Sequence, residues 1–85
     1  MDEKMRISNA EMKVMNQIWK AEEMVTVPEV LEILKKEGEE WTYPTVATFL
    51  RRLTAKEILG VTKKGNKLCY FPLVSKEQYE KKEAE

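Results

Sequence analysis

The sequence predicts a mainly α-helical domain that carries one small antiparallel β-hairpin. Three observations lead to this fold class. Apolar residues recur at helical spacing in three successive segments, which is the pattern of helices with one buried face. At three places a Ser or Thr is followed three residues later by Glu or Gln, which is the capping-box signature of a helix start. Finally, Gly65-Asn66 separates two runs rich in β-forming residues, which is typical of a hairpin turn.

The first helix is predicted to begin at Ser8 and to run to about Lys20. Ser8 and Glu11 form a capping box, in which each side chain satisfies a backbone N–H that the first turn leaves unpaired. The residues predicted to form the buried stripe of this helix are Val14, Met15, Ile18 and Trp19. Residues 1–7 show no comparable pattern, and we expect them to form a flexible leader.

A second capping box, at Thr26 and Glu29, predicts the start of the next helix, with Pro28 tolerated in its first turn. The predicted buried stripe consists of Val27, Val30, Leu31 and Leu34. Gly38 then supplies the left-handed residue that commonly ends a helix. A third helix follows after a short connection, and such a pair forms the helix-turn-helix arrangement, in which the second helix of the pair reads a DNA groove.

The third helix, predicted over residues 42–56 with Thr42 as its N-cap, has two faces of different chemistry. One face is an apolar stripe made of Val46, Phe49, Leu50 and Leu53. The opposite face is small, hydroxylic and cationic and has no carboxylate: it comprises Pro44, Ala47, Thr48, Arg51 and Ala55, with Thr45 and Arg52 on its shoulder. No glycine follows the expected end of the helix, where Glu57 stands instead.

The polar face of the third helix can lie against the floor of a DNA major groove, where Arg pairs with guanine and Thr or Ala methyl groups touch thymine. The alternative is an ordinary surface helix that happens to be basic, although Thr and a Tyr-Pro start are poor choices for one. We expect base edges to be read by Tyr43, Thr45, Thr48 and Arg51. Arg52 suits two roles equally well, a phosphate contact or an ion pair with Glu11 or another acid.

The predicted hairpin consists of strands Leu59–Lys64 and 67–71, and its tip is rich in lysine. Lysines on an exposed hairpin can protect its edges from pairing with other strands. Next to a basic helix, a basic ribbon more plausibly contacts phosphate or an adjacent minor groove. The residues of this region that we expect at the DNA backbone are Lys56, Lys63, Lys64 and Lys67, and Asn66 at the tip is a further predicted DNA-binding residue. Side chains of the second strand should alternate between two faces, with Cys69 a small buried hydrophobe.

Composition excludes several classes of function. The 85 residues are enough for one domain, and they contain no apolar run that could span a membrane and no signal peptide, so we expect a cytoplasmic protein. One cysteine and no histidine leave no disulfide framework and too few ligands for a Cys- or His-based metal site. The lack of histidine also removes the commonest general base. We therefore expect no enzyme activity and no cofactor.

The formal charge of zero conceals an uneven distribution. Residues 1–40 hold six Lys and Arg against ten Asp and Glu, whereas residues 41–67 hold six basic residues against Glu57 alone. A polyanion needs a basic patch on one face and not a basic protein. The third helix and the hairpin together provide such a patch.

Two blocks of sequence resemble a known protein family in their individual residues, and not only in their hydrophobic pattern. The first, residues 8–19 (SNAEMKVMNQIW), closely resembles the opening signature of the penicillinase-repressor (BlaI/MecI/CopY-type) family of bacterial transcriptional regulators. The second, residues 45–53 (TVATFLRRL), is similar to the recognition helix of that family. The resemblance runs in register from about Ile7 to Pro72, and the joint occurrence of both blocks at this spacing is specific.

The resemblance implies a winged helix-turn-helix, in which the hairpin is the wing, that binds a palindromic operator as a dimer and represses transcription. It carries the operator contacts of the family onto Thr45, Thr48 and Arg52, whereas Arg51 rests on the helical wheel alone. The chain departs from the family pattern at Pro44, where lysine is usual, at Glu57, where glycine is usual, and at Asn66, where Arg or Lys is usual. Operator sequence and wing contacts therefore do not follow from the resemblance.

The family also carries a downstream helical dimerisation domain. A third capping box, at Ser75 and Gln78, begins a last helix, and the sequence ends soon after that start. We therefore expect a DNA-binding domain over residues 1–74 and the start of a linker or dimerisation helix over residues 75–85. A full-length protein should be a homodimer, and this chain should be a monomer without DNA.

Two functions from different classes remain in view. The first is sequence-specific binding of double-stranded operator DNA in transcriptional repression. The second is a winged-helix protein–protein interaction module, in which the same helix docks an acidic partner. The lysines at the hairpin turn favour the first, because a phosphate backbone uses them and an interaction module has no need of them. Neither function involves a membrane.

Overall fold

The computed structural model describes residues 7–84 of the chain, and the side chains of residues 7–80. Within this range, the elements are helices and one two-stranded antiparallel hairpin, in the order α1 (Asn9–Ala21), α2 (Val27–Lys36), α3 (Tyr43–Ala55), β1 (Leu59–Lys64), β2 (Lys67–Pro72) and α4 (Lys76–Ala84). The fold class predicted from the sequence is confirmed, and the element bounds lie within a residue or two of the predicted ones. The leader predicted for residues 1–7 falls outside the described residues, except for Ile7, which packs against the core.

The capping boxes predicted from the sequence are present at the starts of α1, α2 and α4. In each box the backbone N–H of the N-cap residue donates to the side chain three residues later; the pairs are Ser8–Glu11, Thr26–Glu29 and Ser75–Gln78. The start of α3 differs. Thr42 is its N-cap, as predicted, but the Thr42 side chain makes no capping bond, and its Oγ1 lies 3.1 Å from Oγ1 of Thr45.

Helices α2 and α3 end in the same way although their sequences differ. After α2, Gly38 takes a φ of 92°, and the N–H of Glu39 donates to the carbonyl of Leu34 at 3.0 Å. After α3, Glu57 takes a φ of 64°, and the N–H of Ile58 donates to the carbonyl of Leu53 at 3.0 Å. Both are left-handed caps that satisfy a carbonyl of the last turn. The turn into the hairpin is therefore kept without the glycine that the family pattern has there.

The core lies where α1, α2 and α3 meet the base of the hairpin. Its fully buried side chains are Val14, Met15, Ile18, Val30, Leu34, Val46, Leu50, Leu53, Ile58 and Leu59. These include most of the predicted apolar stripes, whereas Trp19, Leu31 and Phe49 are partly buried at the edges of the core. The ring of Phe49 lies against that of Trp41, with centroids 5.1 Å apart. The arrangement leaves one whole face of α3 outside the core.

The hairpin has the two-residue turn predicted at Gly65-Asn66, and its register places Lys64 opposite Lys67. Strict alternation along β2 was a wrong prediction, because Cys69 and its neighbour Tyr70 are both buried. Tyr70 pairs with Val25 of the α1–α2 connection through two backbone hydrogen bonds, of 2.7 and 2.9 Å. This added bridge covers the outer edge of β2 near its base.

Helix α4 lies at the end of the described chain and is attached to the body by one aromatic side chain. Tyr79 is buried, while the other side chains of α4 described by the structure are exposed. The first turns of α4 therefore pack on the rest of the domain through Tyr79. No helix in the described residues is long and apolar enough to span a membrane.

Candidate nucleic-acid interface

The surface face of α3 combines two cations with small groups. Arg51 and Arg52 are exposed at the last turns of the helix, and Tyr43 is 51% exposed at the first turn. Thr45 and Thr48 lie between them and are partly exposed. No acidic residue occurs anywhere in α3. The face therefore offers guanidinium groups at one end and an aromatic hydroxyl at the other, over a floor of short side chains.

The threonine hydroxyls of α3 are already fixed by local hydrogen bonds. Thr48 Oγ1 donates to the carbonyl oxygen of Pro44 at 2.8 Å. Thr45 Oγ1 lies 3.1 Å from Oγ1 of Thr42. Hydroxyls held in this way keep one side-chain orientation, which sets the direction of the methyl group and of the remaining oxygen lone pair. Both threonines can thus present a defined pattern to a base edge.

The helical wheel placed Ala47 on the outward face, and the structure corrects this. Ala47 is partly buried and packs against the core. Helix α3 packs against α1, α2 and β1, so its buried arc is wider than the single stripe that the sequence shows. The outward face is accordingly narrower than predicted, and it centres on Thr48 and Arg51.

The tip of the hairpin carries the second group of predicted residues, and all of them are exposed: Lys63, Lys64, Asn66 and Lys67. Gly65 permits the tight turn between the strands because it takes a φ of 63°. The two strands bring Lys64 and Lys67 to opposite positions of the register. Two ammonium groups side by side repel one another, and an anion placed over them relieves that repulsion.

Sequence reasoning missed one feature of the hairpin. Leu68 is 51% exposed, on the part of the strand nearest the turn. It lines an open cleft of about 420 Å³, together with Tyr43 from the start of α3 and Thr26 and Glu29 from the start of α2. The cleft lies between the start of α3 and the hairpin tip. Alternation along β2 could have placed Leu68 outward, but nothing in the sequence shows what lies opposite it.

Lys56 was predicted to contact phosphate, and the structure gives it another partner. Its Nζ lies 2.9 Å from Oε1 and 3.1 Å from Oε2 of Glu11, a side chain of α1 that is 3% exposed. Burial alone would raise the pKa of the Glu11 carboxyl, but hydrogen bonds from Ser8 and Lys56 outweigh burial and hold that pKa below its ordinary value. Lys56 therefore serves to neutralise a buried carboxylate.

This pairing also excludes an ion pair with Glu11 as the role of Arg52. The ion pairs among the described residues are Lys56–Glu11 and Lys13–Glu39, and neither involves Arg52. The alternative that Arg52 holds α3 to Glu11 is therefore wrong, since Lys56 has that role. Arg52 is exposed beside Arg51 and stays available for an external anion.

In the described part of the chain, no group of three or more His, Cys, Asp or Glu side chains is placed to hold a metal ion.

The sequence model of the family described as "Penicillinase repressor" matches residues 7–85. The chain belongs to the penicillinase-repressor family. This is a family of DNA-binding transcriptional repressors and not of enzymes.

Relatives within the penicillinase-repressor family agree with this assignment. The penicillinase repressor of Bacillus licheniformis is 35% identical over 74 residues, which are 87% of this chain and 56% of the relative. The chain thus spans about half the length of that repressor. The solution structure of the DNA-binding domain of the repressor BlaI superposes with a TM-score of 0.77 at 34% identity, covering 93% of this chain and 94% of that one.

A second family structure includes nucleic acid. It is the solution structure of the monomeric form of Bacillus licheniformis BlaI in complex with the blaP half-operator. Its TM-score is 0.71 at 35% identity, and the alignment covers 87% of this chain and 88% of that chain. The winged helix-turn-helix implied by the resemblance is confirmed by these two likenesses.

Proposed function

We propose that this chain binds double-stranded operator DNA sequence-specifically and represses transcription, through residues 42–56 and the wing of residues 59–71. One observation supports this most strongly. Tyr43 of α3 and Asn66 and Lys67 of the wing tip line one open cleft, so the start of the predicted recognition helix adjoins the predicted phosphate contacts of the wing. A related protein of the same fold forms a complex with a half-operator.

The roles divide between base reading and positioning. In this proposal the residues that read base edges in the major groove are Tyr43, Thr45, Thr48 and Arg51. The residues that contact phosphates and set the register are Arg52, Lys63, Lys64, Asn66 and Lys67. Arg51 has the geometry to pair with a guanine, which is the commonest specific contact in a major groove. Lys56 is not counted among the residues that contact phosphate, because it forms an ion pair with Glu11.

The proposal extends to the assembly that represses. Residues 1–74 form the DNA-binding domain, and residues 75–85 begin a linker or dimerisation helix. A dimer of the full-length protein occupies a palindrome, with one recognition helix for each half-site about one helical turn apart. This chain alone is a monomer without DNA, and it acts in the cytoplasm of a bacterium, where the chromosome lies.

The test is a titration of this chain against a pool of random duplex DNA at two salt concentrations, after which the bound sequences are recovered and read. Enrichment of a palindrome or its half-site, with an affinity that falls steeply as salt rises, is the expected result. Salt-sensitive binding without enrichment would contradict sequence specificity. Absence of binding at low salt would reject DNA as the partner and favour a protein–protein interaction module.

A further inference from the structure

We propose that the Glu11–Lys56 ion pair positions the recognition helix for operator binding, so that both residues determine specificity without contacting DNA. The inference rests on the proposed function, because it assigns a role within DNA recognition. It also reassigns Lys56, a residue of the basic segment that would otherwise be counted among the phosphate contacts.

The pair joins the first turn of α1 to the last turn of α3. Glu11 is 3% exposed, and its Oε1 accepts hydrogen bonds from the N–H of Ser8 and from Lys56 Nζ, both at 2.9 Å. Its Oε2 accepts a further bond from the same ammonium at 3.1 Å. The Ser8 hydroxyl in turn accepts from the N–H of Glu11 at 3.1 Å. The carboxylate is thus fixed by its own helix before it engages Lys56.

Lys56 is the C-cap residue of α3, at the junction between the recognition helix and the wing. The next residue, Glu57, is the left-handed cap, and Ile58 and Leu59 then enter the core at the base of the hairpin. A restraint at Lys56 therefore acts on both the recognition helix and the wing. It fixes the last turn of α3, where Arg52 lies next to Arg51. It also fixes the direction in which the wing leaves the helix.

Such a restraint has a specific consequence for recognition. Reading a base edge requires side chains held within about 0.5 Å and 10–20° of their working geometry by the residues that support them. Contacts to phosphate tolerate larger displacements, because a charge acts over several ångströms. Loss of the pair should therefore lower the preference for operator over random DNA more than it lowers general affinity.

The chain provides a matched control for removing the carboxylate. Glu39 accepts from Lys13 Nζ at 3.0 Å in the other ion pair of the described residues, which is more exposed and involves neither α3 nor the wing. Glu11→Gln and Glu39→Gln therefore make the same chemical change and the same change in net charge. Gln also caps a helix in this chain, since Gln78 accepts from the N–H of Ser75 at 2.8 Å.

The experiment measures the ratio of operator affinity to random-duplex affinity for each variant, with the palindrome recovered in the selection as the operator. Glu11→Gln is expected to lower this ratio about tenfold, with affinity for random duplex unchanged or higher. Glu39→Gln should leave the ratio within about twofold of the wild type. Equal ratios for the two variants would overturn the proposal.

Lys56→Gln tests the second half of the proposal and does not depend on the stability of Glu11→Gln. It should lower the same ratio but leave the slope of log affinity against log salt unchanged, because a lysine paired with Glu11 releases no counterion from DNA. If Lys56 contacted phosphate, its removal would instead make the negative slope shallower by about 0.9 and would weaken binding to operator and to random DNA equally. That result would return Lys56 to the phosphate contacts and overturn the proposal.

Coupling between the two residues gives a third readout. If Glu11 and Lys56 act through each other, the double variant should lose no more specificity than the more damaging single variant. Losses that multiply would mean that the two side chains act independently, against the proposal. Failure of the proposed function is distinguishable, since the wild type itself would then show no preference for any duplex.

Discussion

Trp19 donates a hydrogen bond from its indole Nε1 to the carbonyl oxygen of Val74, 3.0 Å away. The bond links residues far apart in the sequence and holds the segment that leads from the wing into α4. The same indole ring lies 6.1 Å from the ring of Tyr79, the buried residue of α4. One side chain of α1 thus anchors both the segment that follows the wing and the start of α4.

Replacing Trp19 by Phe should destabilise the domain and release α4. The ring contact with Tyr79 is largely kept, but the Val74 carbonyl loses its donor, which costs about 1 kcal/mol or somewhat more in a partly buried site. Urea unfolding measures the loss, and hydrogen exchange in α4 should rise. Trp41→Phe is the matched control, because the Trp41 ring packs on Phe49. Unchanged exchange in α4 would contradict the anchoring role.

Replacing Glu57 by Gly should stabilise the domain. Glu57 has a φ of 64°, a conformation that costs a residue with a Cβ roughly 1–2 kcal/mol and costs glycine almost nothing. Glycine is also more flexible when unfolded, so a net gain of about 0.5–1 kcal/mol remains. Glu37→Gly is the control, since Glu37 has a φ of −84° and should gain nothing. Equal changes in urea midpoint for both variants would refute the strain at Glu57.

Acid should weaken the domain through Glu11. Hydrogen bonds from Ser8 and Lys56 outweigh burial and hold the pKa of the Glu11 carboxyl below its unfolded value. The stabilisation is therefore complete above the unfolded pKa and is lost as pH falls through the folded pKa. The free energy of unfolding of the wild type should approach that of Glu11→Gln on acidification. A difference between the two that stays constant from neutral to acid pH would contradict this linkage.

Arg51→Ala should relax specificity at one base position of the operator. Loss of a bidentate pair with a base costs about 1–3 kcal/mol for the preferred base and little for the others. The measurement is binding to a set of operators that carry each base at each position. If the operator-to-random ratio stays at the wild-type value, Arg51 does not read a base.

Lys64→Ala should act in the opposite way. A lysine at the exposed wing tip that neutralises one phosphate contributes equally to operator and random DNA. Both affinities should fall by the same factor, and the negative slope of log affinity against log salt should become shallower by about 0.9. Lys20→Ala, at an exposed position near the end of α1, serves as a control for net charge. A selective loss of operator binding would assign Lys64 to base reading instead.

Local signals predicted most of the fold. The capping boxes at Ser8, Thr26 and Ser75 could be identified because each depends on two residues three positions apart. The turn at Gly65 and the left-handed stop at Gly38 followed from single glycines. Such features need no knowledge of the tertiary structure, and the structure has all of them.

Features that depend on distant partners could not be predicted. Glu11 and Lys56 are 45 positions apart, and the sequence indicated Arg52, on the shoulder of α3, as the residue that could pair with Glu11. The burial of Tyr70 beside Cys69 depends on Val25, which pairs with it from another part of the chain. Glu57 takes a glycine-like conformation because Ile58 and Leu59, which follow it, are drawn into the core.

The bridge between Val25 and Tyr70 makes the two ends of the wing mechanically different. At its base the ribbon is effectively three strands wide, and Leu73 is also bound to Ile58 through a backbone hydrogen bond of 2.8 Å. Beyond Leu68 only two strands remain, and a two-stranded ribbon is barely stable in water. The tip can therefore bend while the base stays in place. DNA grooves differ in width from one sequence to another, and a wing that is stiff at its root and compliant at its end can follow them.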